Sequence, residues 1–206
     1  MTEERSAFSD RLESCHSMTT IVIGGHSRKV GKTSVTTGLI RAFSRYPWTA
    51  LKISSHWHDA PPDEDICVIL EEHVSGEQSD SARFLAAGAA RSFWIRVRDD
   101  QTETAMPELL PILQSSPFVI IESNCILRHI QTDLCIMVLR YDVDDFKESA
   151  RETLSRANAV VAIHRDIASP AWADFAREKL AGIPLFVSSD PLIIPSGLLD
   201  LVSSKL

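Results

Sequence analysis

Short apolar runs, rich in β-branched residues, recur along the chain and are separated by amphipathic or polar stretches. The runs predict strands at about 20–24, 48–54, 66–70, 92–97, 117–122, 134–139, 159–163 and 183–187. Helical spacing predicts helices over 32–45, 81–90, 103–114 (despite Pro107 and Pro111), 144–157 and 170–181. Tyr46-Pro47 closes the first helix, because proline disfavours helical geometry in the residue before it. Several strands are continuously apolar rather than alternating, which requires cover on both faces. Strands that take turns with helices then imply an α/β fold, a mostly parallel sheet with helices on both faces. Residues 1–18 are polar and aperiodic and read as a flexible N-terminal tail. Residues 19–206 read as a single domain ending in a short tail, with no internal repeat.

The stretch TTIVIGGHSRKVGKTSVTTGLI (19–40) changes this from a fold class to a chemistry. A buried-type strand meets Gly24-Gly25, a polar loop, then Gly31-Lys32-Thr33-Ser34 and a helix, the order of a phosphate-binding P-loop. Glycines there permit backbone angles and close approaches that a Cβ blocks. Loop amides and the helix N-terminus present N–H groups to phosphate oxygens. Gly25, His26, Ser27, Arg28, Lys29, Val30, Gly31, Lys32, Thr33 and Ser34 are therefore the candidate nucleotide-binding residues. Lys32 is expected on the β- and γ-phosphates and the Thr33 hydroxyl on Mg²⁺. Five residues lie between Gly25 and Gly31-Lys32, so the place of the first glycine in the commoner four-residue spacing falls on His26. His26 is expected either at the phosphates or in solvent, and Lys29 as a second loop cation or a solvated lysine.

In an open parallel sheet, ligands bind beyond the C-terminal strand ends. The run 118–121 ends in Glu122, placing a carboxylate where a buried strand can deliver it to the metal. Lys32 and Glu122 are thus the catalytic candidates, and Thr33 and Glu122 the metal candidates. Strand 2 ends in Lys52 and the segment Ser55-His56-Trp57-His58-Asp59, read as a polar loop over phosphates or a second substrate. Transition-metal binding by the two histidines is the lesser reading. Asp166, after the strand at 159–163, could accept from a guanine edge, although the usual guanine motif is absent. Arg28, Arg83 and Arg165 are candidates by position for a charge-stabilising arginine.

Composition narrows the partners. A chain of 206 residues with 44% hydrophobic and 24% charged residues is globular, and a net charge of −7 argues against bulk attraction to nucleic acid. Cys15, Cys67, Cys125 and Cys135 lack metal or redox spacing and read as reduced thiols. With no signal-like segment or membrane span, a cytoplasmic location is expected.

The G-x5-GK-T spacing resembles dethiobiotin synthetase and the cobyrinic acid a,c-diamide synthases. More of the chain resembles the molybdopterin-guanine dinucleotide biosynthesis protein B (MobB) family. Lys52 with His56-Trp57-His58-Asp59 is similar to that family's K-H-T-H-H-D segment. Asp80-Ser81-Ala82-Arg83-Phe84-Leu85-Ala86-Ala87-Gly88-Ala89 is similar to its D-[ST]-x-R-x-x-x-A-G-A stretch, and Phe118 to Glu122 to its V-E-G strand. The MobB resemblance implies a GTP-binding P-loop protein, a homodimer, assisting the nucleotidyltransferase that attaches GMP to the molybdenum cofactor. Two other readings stand beside it. One is an ATP-dependent, carboxylate-activating enzyme of the dethiobiotin synthetase type. The other is a non-enzymatic, nucleotide-gated interaction module.

Overall fold

The computed structural model describes residues 18–54, 67–166 and 168–206. The tail up to residue 17 and the His56–Asp59 segment lie outside the described residues. Eight strands form one sheet: β1 (Thr19–Gly25), β2 (Thr49–Ser54), β3 (Cys67–Glu72), β4 (Arg91–Val97), β5 (Phe118–Glu122), β6 (Leu134–Arg140), β7 (Ala159–Ile163) and β8 (Leu185–Ser188). Their order is β3-β4-β2-β5-β1-β6-β7-β8, and all neighbours are parallel except β3 against β4. The antiparallel strand is confined to an edge, leaving the centre parallel.

Among the described residues six α-helices accompany the strands: α1 (Lys32–Ala42), α2 (Asp80–Ala86), α3 (Thr102–Gln114), α4 (Glu148–Thr153), α5 (Ala173–Lys179) and α6 (Ser196–Ser203). All seven residues of β1 are buried because helices cover both sides of it. One core joins Ile21, Ile23 and Ile120 to Val35 and Leu39 of α1, Phe84 of α2 and Leu198 and Val202 of α6. The opposite core joins Val22, Leu51 and Ile121 to Leu109 of α3, Ala150 of α4 and Ala176 of α5. α3 tolerates its prolines because Ala105, Leu109 and Leu113 face the core while Pro107 and Pro111 are exposed. Carbonyls left without an intrahelical donor there lie on the solvent side.

Two expectations need correction. The span 144–157 forms only α4 and a 3-10 turn at Leu154–Arg156, since Asp145 and Lys147 bond to His26 and Ser27 after β1 instead. Residues 196–203 are not tail but helix: Leu198 and Val202, one helical turn apart, pack beneath β1, and Thr19 Oγ1 donates to the Lys205 carbonyl at 3.0 Å. Among the described residues no helix is long and apolar enough to cross a membrane. Cys67, Cys125 and Cys135 are buried and form no disulfide with one another.

Candidate functional site: a phosphate loop and its carboxylates

β1 delivers the chain to the C-terminal edge of the sheet, and residues 26–31 arch from there into α1. The arch closes on Lys29 (φ 56°) and Gly31 (φ 102°), both left-handed. At Gly31 a Cβ would also stand 2.7 Å from Pro191 Cβ, so glycine serves both conformation and space. Gly31 caps α1 without a side-chain acceptor, so the first-turn amides and the dipole end of the helix point at the loop's concavity. Val30 is wholly buried in the core, so only its backbone can serve the loop.

Lys32 Nζ donates to the Ser27 carbonyl at 2.6 Å, spanning the arch. Burial is the largest influence on this ammonium and lowers its pKa from 10.5 to about 8; Glu122 opposes that effect, and Lys52 and Lys147 add to it. Register then assembles the acidic side. Lys52 of β2 lies directly opposite Glu122 of β5 in the ladder, and Lys52 Nζ pairs with Glu122 Oε1. Lys52 Nζ also reaches Asp80 Oδ2 at 2.9 Å. Thr33 Oγ1 donates to Glu122 Oε2 at 2.8 Å. Glu122 is 1% exposed, so both its oxygens are engaged in a desolvated site. Burial alone would lower the Lys52 pKa, but Glu122 and Asp80 outweigh it and raise it. Burial likewise would raise that of Asp80, and Lys52, Thr33 and Arg83 instead hold it below the usual carboxylate range.

Local capping aims Asp80. Ser79 Oγ accepts from the Ala82 amide at 3.0 Å, and Glu72 Oε2 accepts from the Ser79 and Ser81 hydroxyls at 3.1 and 3.2 Å. α2 therefore starts at Asp80 with its carboxylate toward Lys52. It ends at Gly88 (φ 107°), where Ala89 N donates to the Phe84 carbonyl at 3.1 Å in a left-handed helix stop. A cleft of about 400 Å³ runs over this assembly, bordered by Gly31, Thr33, Asp80, Glu122, Arg83 and Arg140.

His26 meets neither expectation placed on it: its ring is 0% exposed, and the residue is not among those that line the cleft. Its Nε2 accepts from the Arg140 amide at 3.0 Å, which leaves the proton on Nδ1 to be donated to the Asp145 carbonyl at 2.8 Å. The ring is also packed at 4.6 Å from Trp172 and 5.2 Å from Phe146. Burial drives its pKa down to about 4 against the weaker opposing effect of its two backbone partners. The loop after β6 is thereby strapped to the phosphate loop, reinforced by Ser27 Oγ donating to Asp145 Oδ2 and Lys147 N donating to the His26 carbonyl at 2.8 Å.

The structure thus brings together Arg28, Lys29, Gly31, Lys32, Thr33, Ser34 and Glu122 around the cleft, with Ser27 on the wall of a smaller cavity beside it and Gly25 packed against the Lys32 side chain. Asp166 is exposed just past the end of β7, and Arg165 beside it is exposed as well. Arg140, Asp145 and Lys147 have no motif in the sequence. They reach the loop only because β6 lies beside β1, the one signal being that the strand at 134–139 is followed by a charged stretch.

No protein-family model matches the chain, and no curated protein matches it. Solved structures match in fold. HypB from Helicobacter pylori in complex with nickel superposes with a TM-score of 0.54 at 16% identity, covering 98% of this chain and 94% of that one. Hydrogenase maturation factor HypB from Archaeoglobus fulgidus gives a TM-score of 0.52 at 10% identity, covering 95% and 93%. The mostly parallel eight-stranded sheet with its helices is the P-loop NTPase fold.

Proposed function

We propose that this chain binds a magnesium nucleoside triphosphate at the loop 25–34 and hydrolyses it slowly. In this reading it is a cytoplasmic, homodimeric, GTP-dependent adaptor in molybdenum cofactor biosynthesis, serving the nucleotidyltransferase that forms molybdopterin guanine dinucleotide. One observation carries the nucleotide part: Lys32 and the open first turn of α1 stand beside Thr33, Glu122 and Asp80 in a single cleft. The donor set fits Mg²⁺, a hard ion that takes hydroxyl and carboxylate oxygens; Thr33 and Glu122 would hold it, with Asp80 near enough to assist. When bound, that ion neutralises charge on the β- and γ-phosphates. Lys32 supplies a second cation, and the loop amides orient the phosphates. Both oxygens of Glu122 are engaged, which leaves positioning and charge neutralisation as the means of catalysis and accords with slow turnover. The adaptor part draws support from the MobB-like stretch, whose acidic residue and glycine have defined duties here: Asp80 reaches Lys52, and Gly88 stops α2.

Calorimetric titration of GTP and ATP with Mg²⁺, beside a Lys32→Ala control, tests the reading. Binding that the control loses by about a hundredfold supports it; failure of both nucleotides to bind removes it. Slow GTP turnover that rises on adding the nucleotidyltransferase supports the adaptor role. A second reading, an ATP-dependent enzyme that activates a carboxylate, is favoured by a smaller cavity beside the loop whose lining includes Arg28, Lys32, Lys52 and Lys147. Clear preference for ATP would move the assignment there.

A further inference from the structure

A second, smaller cavity adjoins the nucleotide cleft and shares Arg28, Lys32 and Lys52 with it. It measures about 110 Å³, too small for a nucleotide. Its cations come from four separate places in the chain: Arg28 in the loop, Lys32 at the start of α1, Lys52 on β2 and Lys147 ahead of α4. No carboxylate is among the described lining residues, in a chain whose net charge is −7. The cationic groups that face this recess give its interior a positive field that favours an anion, although Lys52 is also paired with Glu122 and Asp80.

The polar remainder of the wall also favours an oxygen-rich guest. Ser54 Oγ accepts from Trp94 Nε1 at 3.1 Å, so its own hydrogen remains for another acceptor. Asn124 is fixed by a reciprocal pair with Gly25, its Oδ1 accepting from the Gly25 amide and its Nδ2 donating to the Gly25 carbonyl, both at 2.9 Å. The amide is thus a rigid part of the floor. Lys52 and Ser54 also line a neighbouring cavity of about 350 Å³ with Ser79, Asp80, Ser81 and Trp94. The Trp94 residue is 38% exposed, and its indole offers an apolar face there.

We infer that the cavity between Arg28, Lys52, Lys147 and Ser54 binds the oxyanion, carboxylate or phosphate, of a second small molecule while the loop holds a nucleotide. The body of that molecule extends past Ser54 toward Trp94. This rests on the nucleotide reading of the loop, since Arg28, Lys32 and Lys52 are shared by both sites. An acid of this class would lie beside the terminal phosphate rather than compete for its seat.

The test is calorimetric titration of inorganic phosphate and, separately, succinate. Each is titrated into the full chain alone and into the chain saturated with Mg²⁺ and a β,γ-imido triphosphate in guanosine or adenosine form. The expected result is anion binding that persists with the triphosphate present and weakens at least tenfold in Lys147→Ala. In that variant, imido-triphosphate affinity should stay within about threefold. Lys147→Met, which keeps the aliphatic stem, should behave alike, and an unchanged melting temperature excludes a folding defect. Whether phosphate or succinate binds more tightly tells the two sources apart. Anion binding that disappears once the triphosphate is bound, or that ignores Lys147, overturns the inference, because the anion then sits only in the phosphate loop. Absence of binding by both probes overturns it equally. Lys147-dependent anion binding in a chain that takes no triphosphate would uphold the pocket and reject the nucleotide reading.

Discussion

The buried His26 ring makes stability depend on pH in a way that one substitution can isolate. Its pKa falls from 6.5 in an unfolded chain to about 4 in the fold. Between those values the unfolded state binds more protons, so stability is fully present above pH 6.5 and is lost as pH falls toward 4. The full difference corresponds to about 3 kcal/mol, of which roughly 2 kcal/mol disappears between pH 7 and pH 5. The physical cause is that protonating Nε2 would remove the acceptor of the Arg140 amide and leave a desolvated cation between Trp172 and Phe146. Urea unfolding of the natural chain and of His26→Gln at pH 7.0, 6.0 and 5.0 measures it. The variant should be less stable at pH 7 by about 2–4 kcal/mol, from lost hydrogen bonds and packing, yet its pH slope over this window should be shallower by about 2 kcal/mol. Asp80, held low by its partners, loses its contribution only at more acidic pH and does not enter the window. Equal slopes in the two proteins would refute the burial of a neutral ring.

Removing the Lys52 ammonium by Lys52→Met strands the buried Glu122, and the loss should be about 3–5 kcal/mol in thermal or urea unfolding; added Mg²⁺ with nucleotide should recover part of it. Gly31→Ala forces an alanine into a left-handed conformation against Pro191 and should cost about 1–3 kcal/mol, with weaker nucleotide binding by calorimetry. Because the Lys32 pKa lies at about 8 in the free protein, nucleotide affinity should be steady below that pH and fall as pH rises through it, by at most about tenfold per pH unit. Affinity that is flat to pH 10 would reject a charged Lys32 at the phosphates.

The strands are legible in the sequence because central parallel strands are apolar on both faces and contrast with everything around them. Helix ends are less legible: the 144–157 span satisfies helical spacing, but Asp145 and Lys147 are drawn into bonds with Ser27 and His26 that no local pattern encodes. α6 escapes notice because only Leu198 and Val202 are fully buried, too few for a periodic signal. The site divides in the same way. Lys32, Thr33 and Glu122 belong to local motifs at strand ends. The Lys52–Glu122 pair depends on β2 lying next to β5, and the straps through Arg140 and Asp145 depend on β6 lying next to β1. Such adjacency is a property of topology, which crossover connections leave unspecified in any one stretch of sequence.

The unusual length of the phosphate loop follows from that same adjacency. Counting from Gly25 suggests an arch one residue wider than the common form, but β1 runs through Gly25 and the His26 amide donates to the Val138 carbonyl of β6 at 3.3 Å. His26 therefore continues the strand ladder, with a ring buried beneath the arch and an ordinary negative φ, where the commoner form has glycine. Only Ser27 to Val30 bridge to Gly31, the usual four residues. The additional position thus acts as an anchor. Its ring and its carbonyl bind the loop after β6, and that loop carries Lys147 to the wall of the anion cavity. A substitution at His26 should consequently loosen both the phosphate arch and the neighbouring cavity, whereas one at Lys147 should touch the cavity alone. Comparing nucleotide and phosphate affinities in His26→Gln and Lys147→Ala separates the two; equal effects of both variants on both ligands would show that the anchor does not couple the sites.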